Sequence, residues 1–303
     1  MEKRRTNARL AILWSLLAVL AAPAFPQILL DSTEDLSWDR PEAWAMKYFT
    51  AVSMMSDFGS SAELDRGSVS ISFETAWVPD LGEEERRVGF IGSKVEDLNR
   101  TSVFGRVRAG FGLPAGWTLT VGFVPPVDIG GVTPRIFSLA LGRAVLTRSD
   151  WTLSSRVTTQ VGNLAGDLTC PANIIGSSDP AVNPDNCLES SADEVTMDYT
   201  GIEWTYARTA SKHWRPYVTA TANYYDLEFQ VRARYSLFLD SVLQVADGWV
   251  YTLAAGSRYQ TAGKVAVAGE VFYAPLEVVR DVARGSRNEP LLNARLLIEY
   301  RIR

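Results

Sequence analysis

From Gly67 onward, apolar and polar residues alternate one by one. Val69, Ile71, Phe73, Thr75 and Trp77 take one parity; Ser68, Ser70, Ser72, Glu74 and Ala76 take the other. Successive side chains of a strand point to opposite faces, so this alternation predicts a strand with one apolar and one polar face. The same period recurs over residues 103–111, 117–123, 137–145, 151–161, 195–207, 217–231, 249–259, 265–273 and 294–302, which makes ten predicted strands. Residues 88–95 and 235–245 carry enough apolar positions to raise the count to twelve.

The connections between these segments alternate in length. Residues 113–116, 147–150, 209–214 and 261–264 are short turns, whereas 79–100, 125–133, 164–194, 232–247 and 277–290 are longer. The final segment puts Ala294, Leu296, Ile298, Tyr300 and Ile302 on one face and Arg295, Leu297, Glu299 and Arg301 on the other. Ahead of all this, Lys3, Arg4, Arg5 and Arg9 precede an apolar run from Leu10 to Ala22 and the small-residue site Ala22-Pro23-Ala24. That order reads as a cleaved signal peptide over residues 1–24.

An exported chain of alternating strands, with short turns opposite long loops and a closing strand bearing Tyr300 near its end, resembles a Gram-negative outer-membrane β-barrel. The resemblance is to an architecture and not to one family. It implies an all-β fold: an antiparallel transmembrane β-barrel over residues 67–303, located in the outer membrane, surrounded by lipid and free of cofactors. The even strand number returns the C-terminus to the periplasm.

Composition agrees. A mean hydropathy of -0.02 suits a barrel whose alternate residues face a polar interior. No stretch of eighteen apolar residues follows the signal peptide, which excludes a bundle of membrane helices. A net charge of -5 gives no footing for nucleic acid.

Residues 25–66 break the period. Asp39, Pro41 and Glu42 supply helix-start chemistry, and Trp44, Tyr48, Ala51, Val52 and Met55 recur at helical spacing until the breaker Asp57-Phe-Gly-Ser-Ser61. An N-terminal helical segment of about four turns is expected, lying at the periplasmic mouth or inserted as a plug.

Parity assigns faces. Trp77, Trp117, Trp151, Trp204, Trp249 and Tyr300 fall on the outward side, where an aromatic girdle at headgroup level is expected. Glu74, Arg106, Arg108, Arg156, Gln160, Glu203, Arg258, Glu270, Glu299 and Arg301 fall on the inward side. A ten-stranded barrel is narrow, so these mixed charges are expected to fill the lumen as an ion-pair network, with Glu74, Glu270 and Glu299 neutralising Arg106, Arg108 and Arg156. Cys170 and Cys187, both in the longest loop of an exported protein, are expected to form a disulfide. His213 is the only histidine, set beside Ser211 in a predicted periplasmic turn, away from the external rim. Zinc spacings, phosphate loops and dinucleotide fingerprints are absent, and the acidic residues of 179–194 match no calcium loop. The expected function is therefore a non-enzymatic barrel of structural or binding role with a filled lumen. Two alternatives are a passive transporter of small or apolar solutes with an N-terminal hatch, and a rim-located lipid hydrolase.

Overall fold

The computed structural model of the protein describes residues 28–59, 64–236 and 238–302. The expected signal peptide lies outside these residues. In chain order the main elements are β1 (Ile28–Asp35), α1 (Pro41–Ser53), β2 (Val69–Trp77), β3 (Val103–Gly112), β4 (Trp117–Val124), β5 (Val132–Thr147), β6 (Trp151–Gly166), β7 (Asp193–Arg208), β8 (Trp214–Tyr235), β9 (Phe238–Gln260), β10 (Val265–Ala274) and β11 (Leu291–Arg301). Strands β2 to β11 pair antiparallel in sequence order, and β11 pairs back onto β2, with Phe73 opposite Ile298 and Ser70 opposite Arg301. The sheet is a closed barrel of ten strands. Closure gives each wall strand two neighbours and leaves few backbone groups to meet hydrocarbon unpaired.

The count settles at ten for two local reasons. Residues 88–95 supply only the short bridge of Arg87–Val88 with Lys94–Val95. Residues 232–247, expected as a loop, continue the wall: β8 and β9 remain paired up to Arg234 opposite Leu239. The parity that buries Tyr225 and Leu227 runs on unbroken through Val231, Ala233 and Tyr235, so the ladder has no reason to stop at the membrane.

Burial is inverted relative to a soluble sandwich. Ile71, Phe73, Val157, Leu253, Val271 and Ile298 are exposed, while Glu74, Arg106, Arg108, Arg156 and Arg258 are at most 4% exposed. Such faces suit a lipid exterior around a protected polar interior. Trp117, Trp151, Trp204 and Tyr300 stand near the short turns; Trp77 and Trp249 stand toward the long loops. Trp77, Trp204, Trp249 and Tyr300 are exposed, and Trp117 and Trp151 are partly so.

The N-terminal segment runs through the barrel. Strand β10 reaches only Leu253 of β9, which leaves the upper edge of β9 open. Strand β1 fills that edge in parallel, with Ile28 opposite Phe238 and Asp35 opposite Val245. The chain then turns inward over Gly248, where a Cβ would stand 2.8 Å from the Trp38 indole. Helix α1 starts at Pro41, a residue whose missing N–H costs nothing in a first turn. It is buried on nearly every side, so the apolar stripe expected from its spacing is only part of what the barrel encloses. After Phe58 and Gly59, both at positive φ, the chain reappears beside the short turns. There the Gly67 N–H donates to the Gly112 carbonyl at 2.8 Å. Gly112 is needed there, because a Cβ would fall 1.9 Å from the Asp65 carbonyl oxygen. Of the two placements the sequence left open, the helix lies inside the lumen.

Candidate functional site

The last carbonyls of a helix have no partner within it, and the helix dipole makes that end negative. Four arginines of the barrel wall converge on this end of α1. Arg295 donates to the carbonyls of Ala51 and Met54, both at 2.8 Å. Arg156 donates to Met55 at 2.6 Å and Arg108 to Ser56 at 2.9 Å, and Arg106 binds the Ser53 carbonyl. Gln160 adds a bond to the Ser53 hydroxyl at 2.8 Å. The planar guanidinium, with donors in a fixed fork, suits a site where several carbonyls lie close together.

The carboxylates complete the charge balance, Glu74 with the arginines expected for the set and Glu270 and Glu299 with other partners. Glu74 stands between Arg106 and Arg108, at 3.5 and 3.4 Å. Arg156 pairs instead with Glu203 at 2.9 Å and approaches Asp57 of the plug at 3.9 Å. Glu299 takes Arg258 at 2.6 Å and Arg301 at 3.5 Å, nearer the short turns. Glu270 accepts from Ser56 and from Tyr217, both at 3.0 Å, and is attracted by Arg295. Strand parity put the inward residues on the right face, but which of them meet depends on register and on what enters the lumen. Arg295 was missing from the expected set although it shares parity with Leu297 and Glu299. Its guanidinium also lies 3.5 Å from the Phe272 ring centroid.

Above this charged layer lie two apolar cavities. The first is in the wall. Val103 to Arg106 of β3 pair with β2, but the β3–β4 ladder begins only at Val107, opposite Phe123. Strand β4 ends at Val124 and two prolines follow, which carry no N–H to extend pairing. The resulting cavity of about 350 Å³ is lined by Phe49, Val52 and Met197 from inside the barrel and by Phe73, Val103 and Val107 from its lipid face. The second cavity, about 330 Å³, lies among α1, the loop 79–100 and the upper ends of β8 and β9. Phe49 and Leu98 line both.

The long loops close over the plug. Arg280 holds Glu289 at 2.8 Å, donates to the carbonyls of Arg87 and Glu85, and lies 4.9 Å from the Trp44 ring centroid. Trp44 in turn donates its indole N–H to the Glu289 carbonyl at 3.0 Å. Lys94 pairs with Glu96 at 2.8 Å and also binds the Thr169 carbonyl. Burial pushes the Glu96 carboxyl up to about 7 despite Lys94. Cys170 and Cys187 form a disulfide in the loop 167–192, packed on Val231, Ala233 and Tyr235. His213 sits at a short turn with Nδ1 2.8 Å from the Gln260 carbonyl oxygen. The Ser211 hydroxyl there faces the backbone N–H groups of His213 and Trp214. No cluster suited to a metal ion occurs among the described residues.

A closed antiparallel wall with an apolar exterior and a buried charged interior decides the class. The chain is built as an outer-membrane β-barrel. No protein-family model matches it, and no curated protein matches it significantly in sequence. Similar solved structures are themselves outer-membrane proteins. The attachment invasion locus protein Ail of Yersinia pestis matches 78% of this chain and 99% of its own at 10% identity and a TM-score of 0.31. The outer membrane protease OmpT from Escherichia coli matches 78% and 94% at 9% identity and a TM-score of 0.40. The Pseudomonas putida toluene transporter TodX matches 92% and 78% at 10% identity and a TM-score of 0.31. These likenesses concern architecture alone, and the role of this barrel has to be read from its own geometry.

Proposed function

We propose that this barrel is a non-enzymatic binding and passage protein for small apolar solutes, sealed along its axis and open at its side. The observation that carries the reading is the cavity where β3 outruns β4. Its lining comes from both faces of the wall, so an apolar molecule dissolved in the bilayer reaches the lumen without crossing the charged layer. An apolar cavity of about 150 Å³ holds benzene, so a space of this size accommodates a molecule of roughly two fused rings. The axial route is unsuited to ions and water-soluble solutes, because α1 and the arginines around its C-terminus fill it. The surroundings of His213 and Ser211 favour no nucleophile and base pair, which argues against the lipid hydrolase.

Naphthalene titrated into detergent-purified protein is expected to bind saturably, and Val103→Trp to weaken that binding several-fold. Planar bilayers should carry no steady current, and phospholipid incubated with the protein should release no fatty acid. Steady conductance, or naphthalene uptake that Val103→Trp leaves unchanged, would overturn the reading.

A further inference from the structure

The outer cavity has polar features that the side cavity lacks. Tyr235 is 2% exposed and lines it, yet its hydroxyl has no hydrogen-bond partner among the described residues. Asp240 is 7% exposed and also lines it, and its carboxylate accepts no hydrogen bond from those residues; Lys94 is the cation whose field it feels. Burying the Tyr235 hydroxyl without a partner is costly, and with the Asp240 carboxylate lining the same space the pair points to a ligand. The two side chains share a face of the β8–β9 hairpin. Ala233 lies opposite Asp240, and Tyr235 stands two residues beyond Ala233. Cross-strand diagonals of this kind bring side chains within roughly 7–8 Å, near enough for one small group to bridge them.

Most of the remaining lining is apolar and aromatic, alongside Glu34, Arg40, Glu42 and Glu96. Tyr235 packs on Phe238 at 4.8 Å and on Phe90 at 5.9 Å between ring centroids. Phe90 and Ile91 reach the rim on left-handed backbone, φ 48° and 60°, a conformation a β-branched residue such as Ile91 rarely adopts. The Ile91 N–H is held there by the Glu42 carboxylate at 2.7 Å. Bent in this way, the loop leaves two large apolar side chains exposed at the cavity mouth.

We infer that the outer cavity is a recognition site for an apolar molecule bearing a single hydroxyl group, which accepts from Tyr235 and donates to Asp240. A hydroxyl satisfies both at once, its oxygen accepting from Tyr235 while its proton goes to Asp240. An anion would meet Glu34, Glu42, Glu96 and Asp240. A cation would meet Arg40, which lines the chamber, and Lys94 beside it, whose Nζ lies 5.9 Å from the rings of both Phe90 and Tyr235. The inference rests on the reading of the barrel as a solute-binding protein, and it names the chemistry selected at the outer entrance. Phe49 and Leu98, which line both cavities, then separate a selective chamber from the apolar exit in the wall.

The test uses full-length protein in detergent, with 2-naphthol, naphthalene, 2-naphthoate and naphthylmethylamine as probes. It compares wild type with Tyr235→Phe, Asp240→Asn and Val103→Trp. For 2-naphthol in wild type, affinity about tenfold above naphthalene is expected, the worth of one to two hydrogen bonds. Tyr235→Phe and Asp240→Asn should each remove most of that preference and leave naphthalene binding alone. Val103→Trp, at the far cavity, should leave 2-naphthol binding intact. Equal affinity for 2-naphthol and naphthalene, tighter binding of the acid or the amine, or indifference to both outer substitutions would overturn the inference. If naphthalene binding is nonetheless lost in Val103→Trp, the side-cavity reading survives that failure. If 2-naphthol binds as expected while naphthalene neither saturates nor responds to Val103→Trp, the side-cavity reading fails and the outer site stands.

Discussion

Arg295 on the last strand donates to the carbonyl of Ala51 in the plug helix at 2.8 Å, across 244 residues of sequence. The same guanidinium takes the Met54 carbonyl and lies in the field of Glu270. The closing strand and the plug are therefore tied together by one side chain. Arg295→Met keeps much of the apolar length, removes both bonds and leaves Glu270 without its cation. Hydrogen bonds to a charged group are worth about 1.5–3 kcal/mol each, so losing two costs roughly 3–5 kcal/mol. We expect a loss of that size in refolding stability in detergent, with earlier proteolysis near residue 59. A loss below about 1 kcal/mol would mean a wet lumen in which the charges are screened.

Glu74 and Glu270 should differ. Glu74 stands between two guanidiniums, while Glu270 is satisfied through two hydroxyl donors. Glu74→Gln strips the shared counter-charge from Arg106 and Arg108. Glu270→Gln keeps a carbonyl to accept from Ser56 and Tyr217. Stability should fall by about 3 kcal/mol or more in the first and by roughly half that in the second, on the measured worth of buried pairs and charged hydrogen bonds. Equal losses would show that hydrogen bonding, not charge balance, dominates the layer.

Glu96 makes the outer loops sensitive to pH. Its carboxyl is raised from 4.5 to about 7, so the folded loop holds a proton that the unfolded loop releases. Its contribution is complete below the ordinary carboxyl value and is lost as pH rises through about 7. Hydrogen exchange around residues 94–96, corrected for intrinsic rates, should show less protection at pH 8 than at pH 5.5. Glu96→Gln should flatten that dependence. Protection that instead grows with pH would contradict the sign.

Threading places β1 beside the outer tip of β9, so Leu29, which is 58% exposed, belongs outside the cell. Leu29→Cys in a Cys170→Ser, Cys187→Ser background should react with a membrane-impermeant maleimide on intact cells. Labelling only after the outer membrane is opened would reverse the path of the segment.

The disulfide joins residues 17 apart in sequence. The chain-entropy model gives a closure of this length about 3 kcal/mol, felt in the loop that borders the outer cavity. Intact cells should offer no free thiol at either position until reductant is added. Reduction should loosen the loop 167–192 in hydrogen exchange while the barrel below keeps its protection.

What the sequence determined by itself is whatever depends on one strand at a time. Alternation is a property of the extended backbone, so Glu74, Arg106 and Arg156 could be assigned inward and Phe73 and Trp249 outward with no knowledge of neighbours. The asymmetry of turns and loops, together with the even count, likewise follows from segment lengths. The tertiary structure decided what depends on several strands together. It carried β8 and β9 past their expected ends, because a hairpin remains a ladder wherever its parity is kept and both edges find partners. It gave β1 a place, because β10 stops short of the height of β9. It put helix carbonyls, and not only carboxylates, in front of the arginines. The dihedral period says which face a guanidinium takes. What waits there is fixed by the register around the barrel and by the segment that fills its centre.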